Sequence, residues 1–303
     1  MSLMQSKAGS QPGGRPPAAV ELAPEGVLAA ALPAPGQPPV YAFVPLAAGD
    51  FVPGIGEPNL RAPEAVARAM RSALDQVSPR TRAVTLVLPD TAVRVFVLDF
   101  DSLPSRAAEA DPVLRFRLRK MLPFDVEHAG LSYQRLVESK TECKVLAVVL
   151  PGQILAEYEA AVRSVGYEPG AVLPSSLAAL EGIDSLETVL VASLSELALT
   201  TIITNGQDLL LYRTLELPAN PTSRLQEVQR GIAVAAAYYE DKLGVWPAQL
   251  HCAGNMRAEE FARWLGTPEL PVAELAPRPA TGAATSLGNA SIAGVAGALA
   301  GAR

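Results

Sequence analysis

Histidine and cysteine are nearly missing from this chain, with two of each in 303 residues. Cys143 and Cys252 stand far apart with no CxxC spacing, and His128 and His251 are equally isolated. No tetrahedral metal site can be assembled from that inventory, and the cysteines are expected to be reduced, structural thiols of a cytosolic protein. Basic character is lacking as well. Lys and Arg total 25 against 31 Asp and Glu, a net charge of −6, and aromatic residues make up only 5%. A general nucleic-acid binder needs the opposite balance. No apolar run reaches the roughly 18 residues that cross a bilayer. Residues 1–17 are rich in Gly, Pro, Ser and Gln with no apolar stretch, which excludes a signal peptide and predicts a disordered leader. Met1-Ser2-Leu3 ahead of Met4 reads as an appended remnant, with the native start at Met4. Membrane association is therefore expected only through a partner.

What is present is apolar and well punctuated. With 49% hydrophobic residues the chain can bury a large core, and its length predicts two domains. Ala18–Leu22 and Val27–Leu32 read as two strands around the turn Ala23-Pro24-Glu25-Gly26. After a Pro/Gly-rich stretch, Ala62–Val77 reads as a helix with Pro63 in its first turn and Val66, Met70 and Leu74 on one face. Val84–Leu88 and Val93–Phe100 are expected to form a hairpin across Pro89-Asp90-Thr91. Asp111-Pro112 is expected to start a helix that runs to about Leu122 and ends at Pro123. Gly130–Val137 and Lys144–Leu150 read as strands, and Gln153–Val165 as a helix stopped by Gly166.

The second half is predicted to open near Ser185. Thr188–Ser193, Ala198–Thr204 and Leu209–Leu217 read as strands, the last two joined at Asn205-Gly206, where a tight hairpin needs positive φ. Asn220-Pro221 caps a long helix that ends at Gly244. Gln249–Ala253 reads as a strand and Ala258–Leu265 as a helix. Ser291–Ala300 reads as a close-packed helix; its Gly297-x-x-x-Gly301 spacing is too short and too weakly apolar a context for a membrane dimer.

This order of elements, two βββα-like halves with an insertion in the first, is the plan of the actin-like ATPase (ribonuclease H-like) α/β fold. Four passages go further and resemble the type IV pilus assembly protein PilM family, relatives of the cell-division protein FtsA. They are Arg117-Leu-Arg-Lys-Met-Leu-Pro-Phe-Asp-Val-Glu with Leu131-Ser-Tyr-Gln-Arg-Leu; Lys144-Val-Leu-Ala-Val-Val-Leu-Pro with Ser164-Val-Gly-Tyr-Glu-Pro; the hairpin at Asn205-Gly206 with Tyr212-Arg-Thr-Leu-Glu-Leu; and Glu227-Val-Gln-Arg through Tyr238-Tyr-Glu-Asp-Lys-Leu-Gly to Gln249-Leu-His-Cys-Ala-Gly. The resemblance covers roughly residues 18–303. It implies a first lobe over 18–184 with a small α/β subdomain inserted at about 81–169, and a second lobe over 185–303. It also implies a cytoplasmic scaffold, peripheral to the inner membrane, that holds the N-terminal cytoplasmic peptide of a PilN-type inner-membrane protein. The cytoplasmic L component of type II secretion is similar in plan and is the alternative within the same fold.

Members of this fold hold ATP and Mg²⁺ between two hairpin turns whose backbone N–H groups meet phosphate oxygens. Here the first turn has no Ser or Thr, loses one N–H at Pro24, and places Glu21 and Glu25 where phosphate would lie. In the second turn Ala192-Ser193-Leu194 replaces an expected Asp-Ile-Gly. The adenosine loop retains a single glycine, Gly254. The resemblance therefore implies a degenerate nucleotide site with no cofactor and no catalytic residues. A variant ATP/Mg site built from Ser193, Ser195 and Glu21 is the competing reading, and it would make the chain an ATP-binding switch. Nucleophilic catalysis finds no support, since neither histidine lies near a nucleophile-elbow sequence. The basic run Arg115, Arg117, Arg119, Lys120 splits between helix faces, which suits a solvated surface or part of a partner groove better than DNA. That groove is expected at Phe116, Arg117, Arg119, Leu122 and Phe124, with the two arginines pairing acidic partner residues.

Overall fold

In the computed structural model, which describes residues 14–34, 36–139, 142–183, 188–206, 208–266, 269–276, 287 and 290–302, the first sheet opens with three antiparallel strands. These are β1 (Ala18–Ala23), β2 (Gly26–Ala31) and β3 (Val40–Pro45). Ala23 pairs with Gly26, so Pro24 and Glu25 alone make the turn. Helix α1 (Pro63–Val77) starts with Pro63 and packs Val66, Met70 and Leu74 onto β2 and β3. β4 (Ala83–Leu88) and β8 (Glu168–Pro174) then extend the sheet in parallel, giving the order β3-β2-β1-β4-β8.

Between β4 and β8 the chain leaves to build a separate antiparallel sheet. It contains β5 (Arg94–Phe100), β6 (Gly130–Glu138) and β7 (Cys143–Leu150) in the order β5-β7-β6, with helix α2 (Ala107–Leu118) on one face. Helix α3 (Gly152–Ser164) then returns to the first sheet, placing Ile154, Tyr158 and Val162 in the same core as α1. The short helix α4 (Ser175–Leu180) follows β8 directly.

The second sheet repeats the first. β9 (Thr188–Leu194), β10 (Ala198–Asn205) and β11 (Asp208–Glu216) are antiparallel, and β12 (Leu250–Gly254) and β13 (Val272–Glu274) add in parallel, in the order β11-β10-β9-β12-β13. Helix α5 (Pro221–Leu243) is bounded as its sequence demands. The Asn220 side chain accepts the Ser223 N–H at 3.0 Å, and Gly244 closes the helix at φ 72°. Helix α6 (Ala258–Leu265) packs against α5 and β13. The last helix, α7 (Ala293–Ala300), lies against α4, β1, β2 and β4 of the first sheet. A shared core of Leu28, Val87, Leu173, Val191, Ile202 and Val295 joins the two sheets.

Several local expectations change. β4 and β5 do not pair; they belong to different sheets, and Asp90–Ala92 is a short 3-10 turn that carries the chain between them. Helix α2 begins at Ala107, not at Asp111, and holds Pro112 internally. Asp111 pairs instead with Arg115 at 2.7 Å, and Arg115 also donates to the Val126 and Ala129 carbonyls, tying the following loop to the helix. In the β10–β11 hairpin Asn205 is paired with Asp208, so the turn lies one residue later, with Gly206 at φ 59°. Part of the predicted leader is held: Arg15 is buried against Glu181 at 3.0 Å, and the Pro17 carbonyl accepts the Leu32 N–H at 2.9 Å. Residues 1–13 and the expected boundary at Ser185 lie outside the described residues. Among the described residues no helix is long and apolar enough to cross a membrane.

Candidate functional site

The two sheets face one another across a cleft of about 390 Å³. The β1–β2 turn forms one lip, the β9–β10 turn the other, and the end of β12 closes a side. Every expected cofactor-site residue, Glu21, Glu25, Ser193, Ser195 and Gly254, lines it.

Ser193, at the end of β9, lines the cleft; three of the others are held by their own surroundings. Ser195 spends its hydroxyl inside its own turn, accepting the Leu197 N–H at 3.3 Å and the Ala198 N–H at 3.0 Å. Those two amides are thereby taken from any phosphate oxygen. Gly254 sits at φ +129° with its backbone pressed on β9; a Cβ there would lie 1.9 Å from the Leu194 carbonyl oxygen. Its glycine is required by strand packing in the protein itself. Glu21 turns away from the cleft mouth. Its Oε1 accepts the Ser175 hydroxyl at 2.5 Å, and its Oε2 lies by Gly294 at the amino end of α7, where the Val295 backbone N–H favours the charged form. Burial pushes the Glu21 carboxyl up to about 7, and the Asp90 and Glu25 charges add to the rise. Glu25 accepts Asn255 Nδ2 at 3.3 Å across the cleft, and burial with the nearby Glu196 charge raises its pKa too.

The residue that sequence reasoning missed is Asp90. Its Oδ1 accepts the Ser176 N–H at 3.2 Å and the Ser176 hydroxyl at 2.9 Å, and its Oδ2 accepts the Thr200 hydroxyl at 2.9 Å. The Ser176 hydroxyl lies 2.6 Å from the Tyr212 hydroxyl and the Thr200 hydroxyl 3.0 Å from that of Thr214, which extends the network onto β11. Asp90 therefore links α4 beside the first sheet to β10 and β11 of the second through a buried polar network. Burial raises its pKa against these donors. Four carboxylates, Glu21, Glu25, Asp90 and Glu196, line the cleft, and among the described residues no Lys, Arg or His lines it. Among the described residues no group of three metal-ligating side chains is assembled.

The expected partner-groove residues separate. Phe116 is 70% exposed, and with Arg117 it borders a shallow groove between α2 and the end of β5. Arg119 faces elsewhere and pairs with Glu127. Leu122 and Phe124 are half-buried and pack on the core of the inserted sheet.

Two sheets of identical strand order facing across a cleft, with a small α/β unit inserted in the first, define the actin-like ATPase fold. Among solved structures the chain is similar to a chain of the PilM–PilN type IV pilus biogenesis complex, at 17% identity over 94% of this chain and 98% of that one, with a TM-score of 0.75. It is also similar to the cytoplasmic domain of EpsL, an inner-membrane component of the Vibrio cholerae type II secretion system, at 15% identity over 89% and 92% with a TM-score of 0.51. A protein of actin-like ATPase fold and unknown function from Bacteroides thetaiotaomicron matches at 11% identity over 89% and 94%, with a TM-score of 0.50. No protein-family model and no curated protein matches the chain.

Proposed function

We propose that the chain is a non-catalytic, actin-like scaffold of a type IV pilus assembly platform, bound to the cytoplasmic N-terminal peptide of a PilN-type inner-membrane protein. The observation that carries the reading is the charge of the cleft. Where this fold places a nucleotide, four carboxyl groups and, among the described residues, no basic side chain line the walls. Pro24 offers no N–H, and the Leu197 and Ala198 amides are held by Ser195. A triphosphate entering there would meet carboxyl groups and no basic side chain among the described residues, with the Leu197 and Ala198 amides already engaged. A cleft of this kind supports the fold as a rigid frame, braced by Asp90 on its floor and by Glu25–Asn255 at its mouth. Likeness to a chain of the PilM–PilN complex over nearly the whole length of both supports the choice of machine and partner.

Two measurements test it. Titration calorimetry with ATP and Mg²⁺ is expected to give no saturable heat; micromolar binding would establish the ATP-switch reading instead. Immobilised full-length chain is expected to retain, from detergent-solubilised inner membranes, a single-pass protein with a short cytoplasmic N-terminus, and to lose it when that N-terminus is deleted. Retention that survives the deletion would refute the peptide part.

A further inference from the structure

The cleft between the two sheets is ill suited to a triphosphate, yet its lining suits a ligand of the opposite charge. Its volume of about 390 Å³ is that of a small-molecule pocket. Leu22, Leu28, Phe43, Pro53, Leu194 and Ala293 give it apolar walls. The carboxyl groups form a chain from floor to mouth. Asp90 lies in the floor, Glu21 on β1, and Glu25 and Glu196 in the β1–β2 and β9–β10 turns that make the lips. Each charge acts on the next: Asp90 and Glu25 on Glu21, and Glu196 on Glu25. No cation acts on Glu21, Glu25 or Asp90.

Thr91 is a second observation, independent of the acids. It follows Asp90 in the 3-10 turn and lines the cleft. The residue is 7% exposed, and its Oγ1 has no hydrogen-bond partner among the described residues. A buried hydroxyl without a partner forfeits a hydrogen bond that a ligand N–H restores.

The surroundings choose among cations. A bare divalent ion needs several oxygen ligands converging on one point, and among the described residues no three metal-ligating side chains assemble. A quaternary ammonium needs an aromatic cage, whereas Phe43 is the one aromatic ring lining the cleft among the described residues. Carboxyl groups inside and at the mouth, with apolar wall between them, fit an aliphatic chain that carries an ammonium at each end. Glu21 and Ala23 are two strand positions apart and Glu25 lies beyond, so the inner and outer backbone positions stand roughly 7–10 Å apart.

We propose that the cleft is a binding site for a small aliphatic diamine. Its inner ammonium meets Glu21 and the Thr91 hydroxyl, its outer ammonium sits between Glu25 and Glu196, and its carbon chain lies on the apolar walls. Such a ligand bridges the two lips where their charges otherwise repel. The groups acting on Glu21 are Asp90, Glu25, the Ser175 hydroxyl and the Val295 N–H, none of them cationic. Burial leaves Glu21 holding a proton near neutral pH, and an ammonium displaces it. Binding therefore releases a proton and tightens as pH rises through about 7.

The test is titration calorimetry of the full chain with putrescine, cadaverine and spermidine at pH 6, 7 and 8, in two buffers of different ionisation enthalpy. At least one amine is expected to bind saturably, one molecule per chain, with a buffer-dependent heat that reports the released proton. Glu21→Gln keeps an acceptor for the Ser175 hydroxyl. It should weaken binding about tenfold or more and abolish both the pH dependence and the proton release. Thr91→Val should weaken binding about tenfold and leave the pH dependence in place. Glu240→Gln with Asp241→Asn, two exposed acids at the end of α5, should change nothing. No saturable binding overturns the proposal and leaves the scaffold reading standing. So does binding that ignores Glu21→Gln and Thr91→Val, or that falls equally with the α5 variant, which marks amines gathered on an acidic surface. Saturable, Glu21-dependent binding of magnesium chloride alone identifies a metal site and overturns it as well.

Discussion

Glu21→Gln separates the electrostatics of the cleft from its shape. The Glu21 carboxyl moves from its ordinary 4.5 to about 7 in the folded chain, mainly through burial. Such a gap corresponds to about 3 kcal/mol between the two protonation states. Solvent at the cleft takes a share, so an effect of roughly 1–3 kcal/mol is expected. The sign follows from proton counting. Between pH 4.5 and about 7 the folded state holds more of this proton than the unfolded state. Stability is therefore greatest below the unfolded value and is lost as pH rises through the folded one. Gln keeps the carbonyl that accepts the Ser175 hydroxyl and cannot ionise. The variant should match the parent chain near pH 4.5 and exceed it at pH 8. Urea unfolding at half-unit pH steps measures both curves. Ser175→Ala supplies the control, because removing the hydrogen bond that favours the charged form should raise the Glu21 pKa further and carry the loss of stability to higher pH. Parallel curves for Glu21→Gln and the parent across pH 4.5–8 would refute the reasoning.

Asp90→Ala leaves the Ser176 N–H, the Ser176 hydroxyl and the Thr200 hydroxyl without an acceptor in a buried site, and should cost about 3–5 kcal/mol in chemical denaturation. Asp90→Asn keeps one acceptor and should cost nearer ~1 kcal/mol. Gly254→Ala places a Cβ 1.9 Å from the Leu194 carbonyl oxygen at φ +129°, so a loss of about 2 kcal/mol or more is expected, read as a lower urea midpoint. Asn220→Ala removes the side-chain cap of α5 and should cost about 1 kcal/mol, with the slope of unfolding against urea unchanged.

Elements with local signals were legible from the chain alone. The β1–β2 and β10–β11 hairpins, α1 with Pro63, and α5 between Asn220 and Gly244 all carry their own punctuation. β8 was not legible, because Pro169, Gly170 and Pro174 break any local strand pattern; what makes it a strand is parallel pairing with β4, over eighty residues earlier in sequence. α4, six residues directly behind Pro174, and the three-residue β13 are likewise products of tertiary contact. The cleft was half-legible for the same reason. Glu21, Ser193 and Gly254 lie in or beside turns that announce themselves. Asp90 depends on Ser176 and Thr200, which share no local pattern with it.

The error over Asp90 and the error over topology have one origin. Pro89-Asp90-Thr91 looks like a hairpin turn because β-branched runs flank it closely, and a hairpin would leave Asp90 at a solvated tip. The flanking strands instead find partners elsewhere, β4 in β1 and β8, and β5 in β7. The three residues must then step between two sheets, as a 3-10 turn with Thr91 and Ala92 buried. That step carries the Asp90 carboxylate beneath the cleft, within reach of α4 and β10. Its charge is tolerable there only because donors from both sides arrive together. The crossing that removes the hairpin is thus what creates the brace between the two sheets.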